Sequence, residues 1–145
     1  MGNICRSPSA EGFFRHHLSA IGALERFRID SAGTHGYHIG HAPDPRAVSE
    51  AGQFGVDISG LRARRLSVDD FSTFELIIGM DAHNLEMIES LKPASSGSRT
   101  ALMMEWAPGS DYREVPDPYY GSQADFNLMC RLLDDATARL ARELS

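Results

Sequence analysis

Residues 2–7 combine residue types that suit the binding of a small oxyanion. They precede an apolar pattern of helical spacing, and a helix N-terminus offers free N–H groups and partial positive charge. Glycine permits unusual backbone dihedrals, and an arginine can grip two phosphate oxygens at once. An ordinary turn that leads into a helix is the alternative explanation. The predicted cradle consists of Gly2, Asn3, Ile4, Cys5, Arg6 and Ser7.

A second candidate group is Asp117-Pro118-Tyr119-Tyr120-Gly121, which precedes the last predicted helix. An aspartate in such a loop can give a proton to a departing phenolate, a step typically worth about 10²–10⁴-fold in rate. The flat rings of Tyr119 and Tyr120 suit contact with an aromatic group. The alternative is an Asp-Pro turn with two tyrosines on the protein surface.

Three histidines, His35, His38 and His41, recur at every third position, a spacing that can indicate a metal site. No cysteine or carboxylate pattern accompanies them, whereas metal sites built on histidine usually have such partners. We therefore expect no metal in this segment.

The composition is that of a single globular domain covering residues 1–145, with 42% apolar and 23% charged residues. A net charge of −6 argues against a general nucleic-acid binder. No apolar run approaches the roughly 18 residues of a membrane span, and the N-terminus lacks the apolar region of a signal peptide. Two cysteines make no disulfide framework, so we expect a cytoplasmic protein.

Turn residues and apolar periodicity predict strands that alternate with helices. Ser7 is predicted to cap the first helix, with Pro8 at its first position and Gly22 at its end. This order of elements predicts an α/β protein whose parallel sheet has helices on both faces. Further helices are predicted over 44–55, 81–91 and 122–144, and strands over 27–33, 75–80 and 100–104.

The sequence resembles the low-molecular-weight protein tyrosine phosphatases over nearly its whole length. That family carries Cys-x-Gly-Asn-x-Cys-Arg-Ser-Pro between its first strand and first helix, and residues 1–8 match everything after the first cysteine. The resemblance implies a three-layer α/β sandwich with a short parallel sheet of strand order 2-1-3-4 flanked by helices. Further matches follow in order at 10–11, 30–33, 43–47, 69–71, 80–81, 84–85 and 117–121.

The resemblance places the nucleophilic cysteine immediately before Met1, and the first, central strand is expected to be missing from the numbered chain. Cys5 adjoins Arg6, whereas the Cys-x5-Arg signature separates thiolate and arginine, and Cys130 lies within the last predicted helix. Either upstream residues belong to the natural protein or the chain is truncated. Losing that strand removes on the order of 10 kcal/mol of apolar burial, so a truncated chain is expected to fold poorly or dimerise. We favour the first explanation.

The resemblance also implies roles for the candidate residues. Arg6 is expected to hold the phosphoryl oxygens during formation of a cysteinyl phosphate, and Asp117 to act first as acid and then as base, with no cofactor. Ser31 and Asp81 are expected to support the cradle, although Asp81 also suits a helix N-cap. Cys5 corresponds to a cysteine that can form a protective disulfide with the nucleophile. The substrate slot is expected to be lined by Tyr37, Tyr119 and Tyr120.

The expected partners are a phosphotyrosine protein or a small aryl phosphate, together with inorganic phosphate or a similar oxyanion. Ile4 stands where the related arginine phosphatases carry threonine, which favours phosphotyrosine. The chain as numbered is expected to show only background activity. A phosphate-binding module without catalysis is the first alternative, but it has no need of a proton donor at Asp117. A thiol-coupled arsenate reductase needs two further cysteines within 81–98, and that segment has none.

Overall fold

A computed structural model describes residues 2–145 of the protein. From the strand that begins at Leu76 onward, strands and helices alternate in the order that the sequence predicts, whereas three α-helices precede that strand. Two short 3₁₀ helices, Leu24–Arg26 and Met103–Trp106, complete the regular structure. The elements are α1 (Arg6–Ala20), α2 (Pro45–Gln53), α3 (Asp70–Thr73), β1 (Leu76–Gly79), α4 (Ala82–Leu91), β2 (Arg99–Leu102) and α5 (Gln123–Leu144).

The sheet of the described residues consists of two parallel strands joined through α4. β1 pairs with β2 so that Leu76 lies opposite Arg99 and Gly79 opposite Leu102. A parallel pair needs a crossover connection, which α4 supplies. This unit, together with the helices around it, confirms the predicted α/β class with a small parallel sheet.

Two predicted strands differ from the structure. The segment 27–33 forms only a single bridge, from Gly33 to Arg65, because extended chain becomes a strand only where a partner completes the hydrogen-bond ladder. In the predicted order 2-1-3-4 that partner is the first strand, which the resemblance leads us to expect but which the numbered chain does not supply. The strand predicted over 100–104 ends at Leu102, where the chain turns into the 3₁₀ helix that begins at Met103.

A cavity of about 490 Å³ lies between β1 and the segment 27–31. The side chains of Ala10 and Phe14 from α1 border it as well. In the predicted sheet order, β1 and the segment 27–33 are the two neighbours of the first strand. The cavity is therefore part of the sheet layer of the sandwich.

The start of α1 corrects the prediction at Ser7. Cys5 occupies the N-cap position and Ser7 lies inside the first turn. Pro8 is tolerated at the third helical position because the first N–H groups of a helix have no partner within it. At the other end Gly22 has a φ of 70° and stops the helix as predicted. Ala23 N donates to Leu18 O at 2.9 Å in the hydrogen-bond pattern of a Schellman motif.

The core lies where α1 packs against α5. Phe13 of α1 and Phe126 of α5 have no exposed surface, and Phe13 meets Phe54 edge to face at a centroid distance of 5.4 Å. The predicted apolar face of the last helix is confirmed, since all its members are buried: Phe126, Met129, Leu132, Leu133, Ala136 and Leu140. None of the described helices is long and apolar enough to cross a membrane.

Two helical glycines provide a test of this packing. A Cβ at Gly12 would lie 2.5 Å from Ile58 Cγ2 and 2.9 Å from Val56 Cγ1, whereas a Cβ at Gly52 meets nothing within 4 Å. Alanine gains up to about 1 kcal/mol over glycine in a helix, while overpacking typically costs about 1–3 kcal/mol. We expect Gly12→Ala to lower the free energy of unfolding in urea and Gly52→Ala to raise it. An equal gain from both substitutions would contradict the packing at Gly12.

Candidate active site

The predicted cradle forms a tight, buried loop before α1. Asn3 is 3% exposed and has a φ of 62°, a left-handed conformation that asparagine tolerates better than most residues. Its Nδ2 donates to the backbone oxygen of Ser31 at 3.2 Å, while Ser31 Oγ donates to Glu11 at 2.8 Å. Ser31 thus supports the loop through its main chain and anchors itself to α1 through its side chain.

The guanidinium of Arg6 is buried at the first position of α1 and only 4% exposed. Its Nη1 donates to Asp81 Oδ2 at 2.6 Å and to the backbone oxygen of Val115 at 2.8 Å. Its Nη2 lies 3.9 Å from Asp117 Oδ2. The arginine therefore faces the late Asp-Pro segment rather than bulk solvent.

The carboxylate of Asp81 lies both at the N-cap of α4 and beside Arg6 of the cradle. Its Oδ1 accepts a hydrogen bond from Asn84 N at 2.7 Å, which caps α4, while Oδ2 binds Arg6. Burial alone raises the pKa of Asp81, but the hydrogen bond from Asn84 N and the ion pair with Arg6 outweigh it, so the pKa lies below its ordinary value. The carboxylate at the end of β1 is thus held in its charged form beside Arg6.

The loop that carries Asp117 is tied to the sheet and to itself. Val115 N donates to Met80 O at 2.9 Å, which attaches the segment to the end of β1. Tyr119 N then donates to Asp117 Oδ1 at 3.1 Å. The carboxylate is thus held by the backbone N–H two residues further along the chain. Because that hydrogen bond fixes Oδ1, the second oxygen of Asp117 is the one that faces Arg6.

These groups meet at one cavity of about 160 Å³. The ring of Tyr120 is 97% exposed and that of Tyr37 is 77% exposed, so both stand at the rim. The cavity is smaller than the one beside β1, but it is where the buried arginine and the loop aspartate converge. Its lining comprises Gly2, Asn3, Ile4, Cys5, Arg6, Ser7, Tyr37, His38, Asp117, Tyr119 and Tyr120.

Neither cysteine of the chain suits the role of nucleophile in this state. Burial, followed by the negative charges of Asp44 and Asp117, raises the pKa of Cys5 to about 12. Burial and the charges of Glu50 and Asp134 raise the pKa of Cys130 to about 12 as well. A thiolate is the reactive form, so both thiols are inert near neutral pH.

Sequence reasoning missed two residues at or near this cavity. His38 lines it and lies against Gly2, where a Cβ would come within 2.5 Å of His38 Cδ2. The position of His38 next to Tyr37, a predicted slot residue, could have indicated that His38 lies at the cavity. Arg46 lies behind the cavity, bonded to the backbone oxygen of Tyr119 at 2.9 Å, and only the tertiary structure brings these two together. Within residues 2–145 no group of His, Cys, Asp or Glu is arranged to hold a metal ion.

The fold and this cavity define a small α/β protein in which a buried arginine and a loop carboxylate face one oxyanion-sized site. A sequence model described as low molecular weight phosphotyrosine protein phosphatase matches residues 1–145. The chain therefore belongs to the low-molecular-weight phosphotyrosine protein phosphatase family.

Individual relatives agree with this assignment. The low molecular weight phosphotyrosine protein phosphatase of Schizosaccharomyces pombe is 42% identical over 127 residues, covering 87% of this chain and 81% of that protein. A crystal structure of a protein tyrosine phosphatase from Entamoeba histolytica superposes with a TM-score of 0.95 at 31% identity, covering 99% of this chain and 92% of that one. The structure of Wzb from Vibrio vulnificus superposes with a TM-score of 0.85 at 27% identity, covering 99% of this chain and 93% of that one. The family and its named members are hydrolases of the protein-tyrosine-phosphatase type.

The ion pair between Arg6 and Asp81 predicts a defined pH dependence of stability. Since the folded pKa of Asp81 is below its unfolded value of about 3.9, its contribution is present above that value and lost as the pH falls through the folded pKa. Asp81→Asn keeps an N-cap but loses the charge, which we expect to lower the free energy of unfolding at pH 7 by about 1.5–3 kcal/mol.

Urea unfolding of the wild type and the variant at a series of pH values measures this effect. The difference between them should shrink below about pH 4. Asp111→Asn, in an exposed loop, is the matched control and should leave stability nearly unchanged at every pH. A difference for Asp81→Asn that stays constant down to pH 2 would contradict the charge argument.

Proposed function

We propose that this protein hydrolyses phosphotyrosine through a cysteinyl-phosphate intermediate. One observation carries the proposal: the buried guanidinium of Arg6 and the carboxylate of Asp117 lie 3.9 Å apart on one small cavity at the start of a helix. The arginine with the helix N-terminus suits a phosphate dianion, and the carboxyl group suits proton transfer to a leaving oxygen.

The reaction would proceed in two steps. A thiolate at the position before Met1, where the Cys-x5-Arg signature requires it, attacks phosphorus and breaks the bond to the tyrosyl oxygen. Arg6 and the N–H groups of the cradle hold the other phosphoryl oxygens while the charge redistributes. Asp117 gives its proton to the departing phenolate. As a carboxylate, it then takes a proton from the water that hydrolyses the cysteinyl phosphate and releases inorganic phosphate.

The aromatic rim supports an aryl phosphate as substrate. Tyr37, Tyr119 and Tyr120 all border the cavity, and Tyr119 meets Tyr120 edge to face with ring centroids 4.9 Å apart. Ile4 adds an apolar side chain to the lining. The structure of Wzb from Vibrio vulnificus was solved in complex with benzylphosphonate, a phenyl group joined to a tetrahedral oxyanion. A phosphotyrosine protein or a small aryl phosphate is the corresponding substrate here, with inorganic phosphate as product.

A phosphate-binding module without catalysis is the second candidate, and it applies to the 145 residues taken alone. Cys5 and Cys130 are both buried, free thiols, which suits the reducing conditions of the cytoplasm.

For the isolated chain we propose background activity and pairing into a dimer through the edge of β1 beside the larger cavity. Size-exclusion chromatography with light scattering measures that oligomeric state.

The nucleophile is tested by comparing two proteins in a para-nitrophenyl phosphate assay. The first consists of residues 1–145, and the second, the extended chain, has the first strand and signature cysteine of a family member joined in front of Met1. We expect turnover only from the extended chain, because loss of a nucleophile costs on the order of 10⁶ in kcat. A serine in place of the added cysteine is the matched control and should abolish turnover. Equal turnover by residues 1–145 alone would contradict the proposed mechanism.

The acid is tested by Asp117→Asn in the extended chain. We expect kcat/KM for phenyl phosphate, which covers only the steps up to departure of this poor leaving group, to fall by about 10²–10⁴-fold. The loss should be much smaller for 2,4-dinitrophenyl phosphate, whose leaving group needs no proton. Asp111→Asn, in the exposed segment before the Asp117 loop, is the matched control and should retain both activities. Equal losses with the two substrates would rule out Asp117 as the proton donor.

A further inference from the structure

Arg46, the second residue of α2, connects two loops that are far apart in the sequence. Its Nε donates to Asp44 Oδ1 at 3.0 Å and its Nη2 to Asp44 Oδ2 at 2.8 Å. The same Nη2 donates to the backbone oxygen of Tyr119 at 2.9 Å. One guanidinium thus joins the start of α2 to the loop of Asp117.

The cradle is attached to the same point. Asp44 N donates to the backbone oxygen of Ile4 at 2.7 Å, and the Asp44 side chain is only 8% exposed. The side-chain hydrogen bond from Arg46 outweighs the effect of burial and lowers the pKa of Asp44, so the carboxylate stays charged. The start of α2 therefore holds two loops through backbone oxygens. It holds the cradle at the oxygen of Ile4, and it holds residues 117–121, here called the acid loop, at the oxygen of Tyr119.

The position of the guanidinium is further restricted by aromatic rings. Its central carbon lies 4.5 Å from the ring centroid of Phe126 and 5.7 Å from that of Tyr119. A planar guanidinium can stack on such rings while it binds a carboxylate with two nitrogens. A lysine ammonium has neither a planar face for stacking nor two nitrogens for the carboxylate, so arginine suits this site better than lysine.

A short path leads from Arg46 to the carboxylate of Asp117. The peptide oxygen of Tyr119 accepts from Arg46, and the N–H of the same residue donates to Asp117 Oδ1 at 3.1 Å. A displacement of Tyr119 therefore displaces the carboxylate. Arg46 is not among the residues that line the cavity, and its hydrogen-bonded path to Asp117 runs through Tyr119.

We propose that Arg46 is a positioning residue for proton transfer, which sets the distance between the Asp117 carboxylate and the leaving oxygen over the cradle. The proposal rests on the proposed function, in which Asp117 is the acid. It predicts that loss of Arg46 weakens acid catalysis more than oxyanion binding, because Arg46 contacts Tyr119 directly but reaches the cradle only through Asp44.

The first experiment measures kinetics of Arg46→Gln and Arg46→Lys in the extended chain. We expect kcat/KM for phenyl phosphate, which covers only the steps up to departure of the leaving group, to fall by up to about 10²-fold in Arg46→Gln, the scale of loss for a misplacement of about 1 Å. The kcat/KM for 2,4-dinitrophenyl phosphate should change little, and Arg46→Lys should lie between wild type and Arg46→Gln. Arg139→Gln, on the exposed face of α5, is the matched control and should behave as wild type.

A double variant separates positioning from a general loss of structure. If Arg46 acts through Asp117, Arg46→Gln in the Asp117→Asn background should cost almost nothing further. Equal loss of kcat/KM with both leaving groups, or additive losses in the double variant, would overturn the proposal.

A second experiment does not depend on turnover. Amide hydrogen exchange of residues 117–121 in the extended chain should be faster in Arg46→Gln than in wild type, with exchange in α1 unchanged. Unchanged exchange at 117–121 would overturn the attachment of the loop by Arg46. If exchange is faster while Asp117→Asn shows no leaving-group effect, the acid role of Asp117 has failed and the attachment stands.

Discussion

The buried charge of Arg6 is the constraint on which the rest of the site depends. A guanidinium with 4% exposure has lost most of its hydration, which costs several kcal/mol unless charged and polar partners replace the water. Asp81 and the backbone oxygen of Val115 supply that replacement through one nitrogen, Nη1. The first turn of α1, the end of β1 and the segment before Asp117 must therefore meet at one point.

This arrangement leaves part of the guanidinium for a ligand. Within residues 2–145 every hydrogen bond of the Arg6 side chain comes from Nη1, and Nη2 borders the cavity beside Asp117. A dianion seated there would meet a donor that is already oriented, so little reorganisation accompanies binding. Asp81 and Val115, which stabilise the buried charge of Arg6, thus also orient Nη2 toward Asp117.

The two loops around the cavity are also held by contacts that leave the cavity-facing side chains unoccupied. The cradle is held by Asp44 and Ser31, whereas the acid loop is held by Arg46 and by its own peptide at Tyr119. These contacts reach main-chain atoms, so they position the loops without occupying the side chains that face the cavity. In the proposed function the side chains of Ile4, Tyr37 and Tyr120, which line the cavity, remain available to a substrate.

The sequence by itself determined the elements and the local chemistry of the site. Periodicity gave the apolar face of α5, and the predicted helix starts at 44, 81 and 122 follow from residue type, because both signals are local in the chain. The resemblance, which runs over nearly the whole sequence, supplied the family and the expected roles of Arg6 and Asp117, and the comparisons confirmed the family.

Only the tertiary structure decided how distant residues meet. It showed that α1 begins at Arg6 rather than after Ser7, that the segment 27–33 forms a bridge and no ladder, and that Arg46 reaches Tyr119 across 73 positions. The physical reason is the same in each case. A hydrogen bond between segments depends on how the chain packs in three dimensions, and no pattern of neighbouring residues encodes that distance.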